Sequence, residues 1–557
     1  MSNEAQSHID DEITRLTSSL YDLRSQRNAL SYISRLPIEV LGDIFVHCAS
    51  DYHYQEHHPP LRSDAPDWVN VSYVCRQWRN VALDCPTLWT YVFVSSQRWT
   101  ELLLARSKQE SLKIRIKIDH PLEKWWRFLR TVADHVERIQ ELCLLRGNAD
   151  GETSPLLTPF TRIPRLQVME FDGCGSYPTH LEIFRGAIPT LRTLIISKNQ
   201  MPSCSSQLSG LTSLSLENMR DHGRLDIVEL RSLLGCMHDL AHLHLWNALC
   251  GADRFLSSED FDVTQKFTLP LHLSRLLIAA PLSTIVAFLS YFKIASETDM
   301  KLLCFGERPT FQGPWKEIFS YDEENYLQND CCSLYSLLAQ RLCSPGDQAL
   351  FGRIRTLSIH CSDRELVFSS SERYGRCPRL LKAREVYWDC DIPLQLSIKF
   401  TSIMRSGGLI TSNICRSVPP KDVRSVHICS LEYCSTLWTI SLAHFQEVRH
   451  LKATDCNITG LFSALSLVSP HDAENQEGHV DQHLRCAPAL EELECISCWI
   501  DKRQGIPAGF RTALSIRKER GRALKRLIIK DDVKNAFRPE DVLGLPVGGV
   551  SLNGQSY

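Results

Sequence analysis

Few residues in this chain combine a reactive type with a telling spacing. Cys495-Ile-Ser-Cys498 is a Cys-x-x-Cys pair, the spacing of half a zinc site or of a dithiol redox centre. A tetrahedral zinc site needs two further Cys or His ligands, and no second Cys-x-x-Cys or His pair accompanies this one. His47, His53, His57 and His58 gather around a Pro- and Asp-rich stretch. Metal ligation there would need a fixed three- or four-ligand geometry, so a solvated loop is the preferred reading. Arg517-Lys-Glu-Arg-Gly-Arg522, with Lys525-Arg526, is the densest basic run. It can meet phosphate or an acidic partner, but it precedes an apolar strand pattern and is read as the exposed face of a helix and turn. Phosphate loops, Gly-x-Gly-x-x-Gly, Gly-x-Ser-x-Gly and His-Glu-x-x-His are missing. The expectation is a non-catalytic chain with no metal and no cofactor; an enzyme with an unrecognised active site is the rival.

Composition narrows the partners. The 557 residues are 43% hydrophobic and 23% charged, which describes a folded chain too long for one ordinary domain. A formal net charge of -3 lacks the basic excess of a nucleic-acid binder. The start, Met1-Ser-Asn-Glu-Ala-Gln-Ser-His-Ile-Asp-Asp-Glu12, has no basic or apolar signal regions, so a cytoplasmic and/or nuclear location is expected. The 22 cysteines are then reduced, small hydrophobes rather than a disulfide framework. The uncharged run Leu276–Phe292 approaches a spanning length, but Pro281 interrupts it; a buried strand, turn and helix is preferred to a membrane span.

Two groups of elements must carry whatever the chain does. Over residues 1–30, Ile13, Leu16, Leu20, Leu23 and Leu30 recur at alternating three- and four-residue steps, with Arg27 at one seam position. Such a helix can pair with another; the simpler reading is one amphipathic helix folded against its own chain. Pro37 suits a first helical turn, Glu39 and Asp43 suit the positive end of the helix dipole, and Ile38, Leu41, Ile44, Phe45 and Cys48 are assigned to one face. After a polar loop from Asp51 to Asp67, Asn70 is a candidate N-cap for a second helix with the stripe Val71, Val74, Cys75, Trp78, Val81 and Ala82. Pro86 ends it, and Leu88-Trp89 leads into the strand Val92-Phe93-Val94.

Leu36-Pro37, Glu39, Leu41, Ile44-Phe45, Val74-Cys75-Arg76, Trp78-Arg79, Pro86 and Leu88-Trp89, in that order, resemble an F-box. The preceding coil and the tail Arg98-Trp99…Ala105-Arg106-Ser107 are similar to those of F-box proteins of mushroom-forming fungi. The loop between the two helices is longer than the common F-box pattern.

From Ile139 onward another pattern recurs: apolar, two residues, apolar, any, apolar. It reads Ile139/Leu142/Leu144, Leu166/Met169/Phe171, Leu191/Leu194/Ile196, Leu211/Leu214/Leu216, Leu240/Leu243/Leu245, Leu273/Leu276/Ile278 and Met300/Leu303/Phe305. Later copies are Ile354/Leu357/Ile359, Ala383/Val386/Trp388, Val423/Val426/Ile428, Val448/Leu451/Ala453, Leu490/Leu493/Cys495 and Leu524/Leu527/Ile529. Many lie roughly 20–34 residues apart, overlapping and exceeding the leucine-rich-repeat period. The last two apolar residues of each copy would point inward from a strand, and stacked neighbours must cover them. Cys174, Asn199, Cys456 and Cys498 stand eight positions after the first apolar residue, where leucine-rich repeats often place Asn or Cys. This position also accounts for the Cys-x-x-Cys pair. The alternative is an irregular α/β domain.

The expected architecture is therefore α+β and multi-domain: a helix over 1–30, an F-box over 31–95, linker helices over 96–135, and an irregular leucine-rich-repeat-like solenoid over 136–557. The F-box resemblance implies docking on a Skp-type adaptor, and through it a cullin, by Leu36, Pro37, Ile38, Glu39, Leu41, Ile44, Phe45, Val74, Cys75 and Trp78. It implies a substrate-recognition adaptor of an SCF-type ubiquitin ligase, with an unidentified protein substrate and neither nucleic acid nor membrane as partner. Substrate contacts are expected from outward strand residues: Thr193, Ile195 and Ser197; Ser213, Ser215 and Glu217; His242, His244 and Trp246. A non-catalytic repeat scaffold acting independently of ubiquitination is the alternative.

Overall fold

The computed structural model describes residues 2–55, 67–94, 97–118, 129–146, 163–173, 189–198, 201, 208–252, 266–295, 298–305, 333, 334, 337, 356–362, 365–371, 394–399, 415, 423–430, 435–456, 458–467, 484–498, 506–530 and 543–556. They fall into two compact units, Met1–Ser213 and Leu214–Tyr557. Helices gather at the N-terminus, and the strands beyond them are mostly parallel.

In the first unit, α1 runs over Ser2–Ala29, free of Gly and Pro. A 3-10 turn, Tyr32–Arg35, leads through an extended Leu36 to Pro37, the backbone that a following proline favours. The Pro37 carbonyl accepts the Leu41 N–H at 3.1 Å and opens α2, Ile38–Gln55. Then follow α3 (Arg76–Asp84), β1 (Tyr91–Val94), α4 (Gln97–Arg106), β2 (Leu112–Ile118), β3 (Ile139–Arg146), β4 (Val168–Asp172) and β5 (Thr193–Ser197). Within 96–135, where linker helices were expected, α4 leads to the strand β2, and residues 129–133 are helical again. Parallel pairing aligns Val92, Ile114, Leu142, Met169 and Leu194 in one row, and Val94, Ile116, Leu144, Phe171 and Ile196 in a second. All ten side chains are buried. The ladder thus begins in β1, ahead of the first repeat copy legible in the sequence.

The second unit contains β6 (Ser213–Glu217, starting at the unit boundary), α5 (Ile227–Gly235), β7 (His242–Trp246), β8 (Phe267–Thr268), β9 (Arg275–Pro281), α6 (Leu282–Tyr291), β10 (Phe292–Lys293) and β11 (Asp299–Phe305). It continues with β12 (Thr356–Ser362), β13 (Glu365–Ser371), β14 (Leu394–Lys399), β15 (Ser425–Ser430), α7 (Ser435–His444), β16 (His450–Thr454), α8 (Thr459–Leu465) and β17 (Glu492–Ile496). The last elements are α9 (Ile506–Glu519), β18 (Arg526–Lys530), β19 (Val550–Leu552) and β20 (Gln555–Ser556). The uncharged run at Leu276–Phe292 is β9 passing directly into α6, with Pro281 ending the strand. No helix among the described residues is long and apolar enough to cross a membrane.

Two parallel ladders organise this unit. One joins β7, β9, β11 and β14; the other joins β12, β15, β16, β17, β18 and β19. The second aligns Leu357, Val426, Leu451, Leu493, Leu527 and Val550 in a single row. In the first, Met300 stands opposite Leu276 and Leu302 opposite Ile278. The copy expected as Met300/Leu303/Phe305 is therefore three residues out of register, with Met300 and Leu302 standing where Leu303 and Phe305 were expected; Met300, Leu302 and Cys304 are buried. A slip by an odd number of residues exchanges the two faces of a strand, and the run Met-Lys-Leu-Leu-Cys-Phe supplies apolar residues at both parities. β13 runs antiparallel to both β12 and β14. The copy at Ala383/Val386/Trp388 lies outside the described residues.

The turn leaving five strands, β5, β6, β7, β16 and β17, repeats as closely as the strand. Lys198, Asn218, Asn247, Asp455 and Ser497 each stand two positions after the last inward residue, with φ of 54°, 48°, 50°, 49° and 50°. Just after two of these residues, the expected Cys positions do what the pattern requires: Cys456 Sγ donates to the Thr454 and Ile428 carbonyls, and Cys498 Sγ to those of Ile496 and Ala453. Each thiol thus ties its own strand to the neighbouring one. Cys174 and Asn199 lie outside the described residues. The left-handed position is testable. Asn218→Val should lower stability by about 1–2 kcal/mol in urea unfolding of the full chain, because a β-branched side chain is strained at positive φ. Asn218→Gly should leave the unfolding midpoint nearly unchanged.

Candidate functional site

α2 has two apolar faces. Leu41, Phe45 and Ala49 follow a four-residue step and are fully buried. Phe45 meets Trp78 with ring centroids 5.0 Å apart. The core continues through Trp68, Val69, Ala82, Leu88 and Trp89. Trp68 and Trp89 meet edge-on at 5.3 Å, and the Trp89 indole N–H donates to the Ala82 carbonyl at 2.7 Å. The Arg106 guanidinium covers the Trp89 ring at 4.3 Å. Leu41 and Phe45, expected among the docking residues, are thus withdrawn into the domain's own core.

An adjacent stripe of α2, about 100° round the helix, carries Val40, Ile44 and Cys48, again at four-residue steps, and all three are exposed. Pro37, Ile38 and Glu39 are exposed at the helix entrance, and Leu36 is half-buried. Of Ile38, Leu41, Ile44, Phe45 and Cys48, assigned to one face, only Leu41 and Phe45 are buried: the burial step selects 41, 45 and 49, and leaves 38, 44 and 48 outside. Val40 went unassigned in the sequence, although its spacing to Ile44 is the signal that marks it.

The second helix also starts later than Asn70. Asp67–Tyr73 is a 3-10 turn, and α3 begins after Cys75, whose extended backbone and Sγ cap the Trp78 N–H. The break turns Tyr73 and Val74 outward, 67% and 58% exposed. Cys75 and Trp78 are half-buried and act within the fold. Gln77 Nε2 donates to the Ser34 carbonyl at 3.3 Å, tying α3 to the turn before Pro37. The loop histidines His57 and His58 lie outside the described residues, and His47 Nδ1 lies 3.2 Å from the Asp43 carbonyl in its own helix.

The strand-face candidates divide between the units. In the first, Thr193, Ile195 and Ser197 of β5 alternate outward and are half-buried, as is Ser213 at the unit boundary. Its outward faces also carry charge the sequence reading did not single out: Lys113 pairs with Glu141 at 2.8 Å, and Lys198 with Asp172 at 3.1 Å. Burial disfavours the Lys113 charge, but Glu141 and Tyr91 together hold its pKa above the ordinary value.

In the second unit, Ser215, Glu217 and His244 form one network. The Ser215 hydroxyl is 2.8 Å from Glu217 Oε1 and 2.9 Å from His244 Nδ1. His244 Nδ1 is also 3.6 Å from Glu217 Oε1. A nucleophile relay needs hydroxyl and carboxylate on opposite ring nitrogens. Here both approach Nδ1, the serine is buried, and Nε2 is buried without a partner among the described residues. The trio is a polar strand-face network rather than an acyl-transfer site. Trp246, expected as a free anchor, is half-buried; it packs on Leu277 and Ala279 and meets His244 edge-on at 6.1 Å. Leu277 and Ala279 face outward from β9 yet are 0% and 1% exposed, so this stretch of strand face is already covered. His242 remains exposed.

Cys495 and Cys498 are both buried, with Cys498 Sγ engaged by backbone carbonyls. The neighbouring Cys498 thiol, together with burial, raises the Cys495 pKa well above the ordinary thiol value. No cluster of three or more His, Cys, Asp or Glu suited to a metal occurs among the described residues. The basic run splits as well. Arg517 is fully buried, not exposed, and its Nη2 donates to the Ala487 and Leu490 carbonyls at 3.1 and 3.3 Å. Burial lowers its pKa to about 10. Lys525 instead pairs at the surface with Glu491 at 2.8 Å.

Residues 33–95 match the family described as F-box-like. That span takes in Leu36-Pro37, both faces of α2, α3 and the tryptophan core. No curated protein matches the chain.

Two predictions follow from the burial pattern. Leu41→Ala and Phe45→Ala should each destabilise the domain by about 2–5 kcal/mol in chemical unfolding, while Val40→Ala and Ile44→Ala stay within about 0.5 kcal/mol. His244 sets a pH dependence: burial holds its pKa below the ordinary 6.5, outweighing Glu217. The unfolded chain then binds the proton more readily, so stability is lost as pH falls through 6.5. His244→Gln should flatten the unfolding midpoint against pH below that value; an unchanged slope would show that His244 contributes nothing.

Proposed function

We propose that the chain is a substrate-recognition adaptor of an SCF-type ubiquitin ligase, in which the F-box-like domain at residues 33–95 docks a Skp-type adaptor and the strand-rich remainder holds a protein substrate. F-box domains generally bind Skp-type adaptors, and F-box proteins generally act without catalysing a reaction themselves. One observation carries the docking assignment: α2 spends Leu41, Phe45 and Ala49 on the domain's own core, and still presents Pro37, Ile38, Val40 and Ile44 to solvent. Exposed apolar residues grouped around one helix entrance suit a protein–protein contact. Tyr73 and Val74 are exposed in the same domain and extend the candidate set.

The rest of the reading concerns the strands. The apolar rows, the left-handed residue after five of the strands and the Cys456 and Cys498 contacts support a leucine-rich-repeat-like array. Such an array presents one residue type outward for every one it buries, which suits recognition of an extended partner. Thr193, Ile195, Ser213 and His242 are the preferred substrate contacts; Ser215, His244 and Trp246 position the strand face around them. Catalysis in the assembly comes from tethering, which raises the effective concentration of a substrate lysine near a ubiquitin thioester carried by other subunits. A cytoplasmic or nuclear location accords with this role.

Affinity capture of the full-length tagged chain tests the reading. The wild type should retain the Skp-type adaptor and cullin. Val40→Asp/Ile44→Asp and Leu36→Ala/Pro37→Ala should each reduce adaptor retention at least tenfold, with an unchanged circular dichroism spectrum. A wild-type chain that retains neither subunit would leave a repeat scaffold with no ligase role.

A further inference from the structure

The apolar stripe of α1 is unoccupied. Ile9, Ile13, Leu16, Leu20 and Leu23 recur at alternating four- and three-residue steps, continue through Arg27 to Leu30, and are 47–77% exposed. The expected folding of this helix against its own chain is not found among the described residues. α1 is instead held from behind. Asp22 pairs with Arg76 of α3 at 3.3 Å, and the Arg76 guanidinium lies 5.5 Å from the Tyr21 ring. Tyr21 and Asp22 follow Leu20 directly, and in a heptad those positions lie opposite the seam. The anchoring contact therefore turns the stripe away from the domain.

We propose that α1 pairs with α1 of a second copy of this chain as an antiparallel two-stranded coiled coil. Charge decides both occupant and direction. Between Asp10 and Glu12 three carboxylates stand in a row near one end of the helix, while Arg24 and Arg27 stand near the other. Parallel pairing would place Arg27 against Arg27 of the other copy inside the seam, where like charges repel. Antiparallel pairing places Leu16 against Leu20, Ile13 against Leu23, and the Arg27 stem over Ile9, with its guanidinium at the acidic end. It also sets Asp10 beside Arg24 of the second copy, twice by symmetry. Glu12 is already paired with Arg15, and Asp22 with Arg76, whereas Asp10 and Arg24 are exposed and unpaired among the described residues. This arrangement brings these two free groups together, with Asp11 on the outer side of the helix.

This inference does not rest on the ubiquitin-ligase reading. Light scattering on the full-length chain at tens of micromolar should give twice the 63.6 kDa monomer mass. Leu16→Glu/Leu20→Lys should return it to one chain, with circular dichroism showing that the domains remain folded. Asp10→Arg and Arg24→Asp should each raise the dissociation constant at least tenfold. Mixed one to one, these two variants should recover a dimer, because one Asp10–Arg24 contact is then native and the other is restored with its charges reversed. A wild type of single-chain mass would overturn the proposal, as would a dimer indifferent to the Leu16/Leu20 change. Failure of the mixture to recover a dimer would overturn the antiparallel arrangement.

Discussion

A parallel strand supplies backbone partners on both edges but leaves half its side chains to be buried by something else. That constraint governs the strand-bearing part of this molecule. Each strand contributes an inward pair, and each neighbour must present its own pair at the same height. In the first unit the rows led by Val92 and Val94 meet the requirement from β1 to β5; in the second, the row from Val426 to Val550 does so from β15 to β19. The left-handed residue after β5, β6, β7, β16 and β17 follows from the same demand, since the chain must leave these strands in the same direction for the next to arrive in register.

The F-box-like domain answers a different problem. A small helical domain has little interior, so its buried residues must be large and well placed. Phe45, Trp68, Trp78 and Trp89 supply that bulk, with the Trp89 N–H satisfied by the Ala82 carbonyl. Because these aromatics close the core from α3 and the 3-10 turns, α2 needs only one of its faces for folding. Its other face remains apolar and free. Stability thereby rests on one set of residues of this helix, while a second apolar set a few positions away in sequence stays exposed.

Polar groups on the strand faces show how burial changes a residue's meaning. Arg517 lies within a run of surface-type residues, yet serves as an internal brace for the carbonyls of residues 487 and 490. Ser215, Glu217 and His244 have the composition of a catalytic trio and the geometry of a structural one. In each case the side chain is committed by what its neighbours leave unsatisfied.

The amino-acid sequence alone determined the F-box-like segment, the parity of most inward strand residues and the heptad of α1, because each is a local spacing that one helix or strand must obey. It also placed Cys456 and Cys498 correctly against backbone carbonyls. Parity failed at β11, where apolar residues at adjacent positions made both registers legible and only pairing with Leu276 and Ile278 selected one. Facing failed on α2, where Ile44 and Phe45 are equally apolar and the position of Trp78 decided which is buried. Exposure failed at Trp246, since Leu277 and Ala279 reach it from a strand distant in sequence. The left-handed residues at Asn218, Asn247 and Asp455 were visible as residue types, but their common offset acquired meaning only when the strands were aligned. Local periodicity is written along the chain; which of two apolar faces is covered depends on residues that only folding brings near.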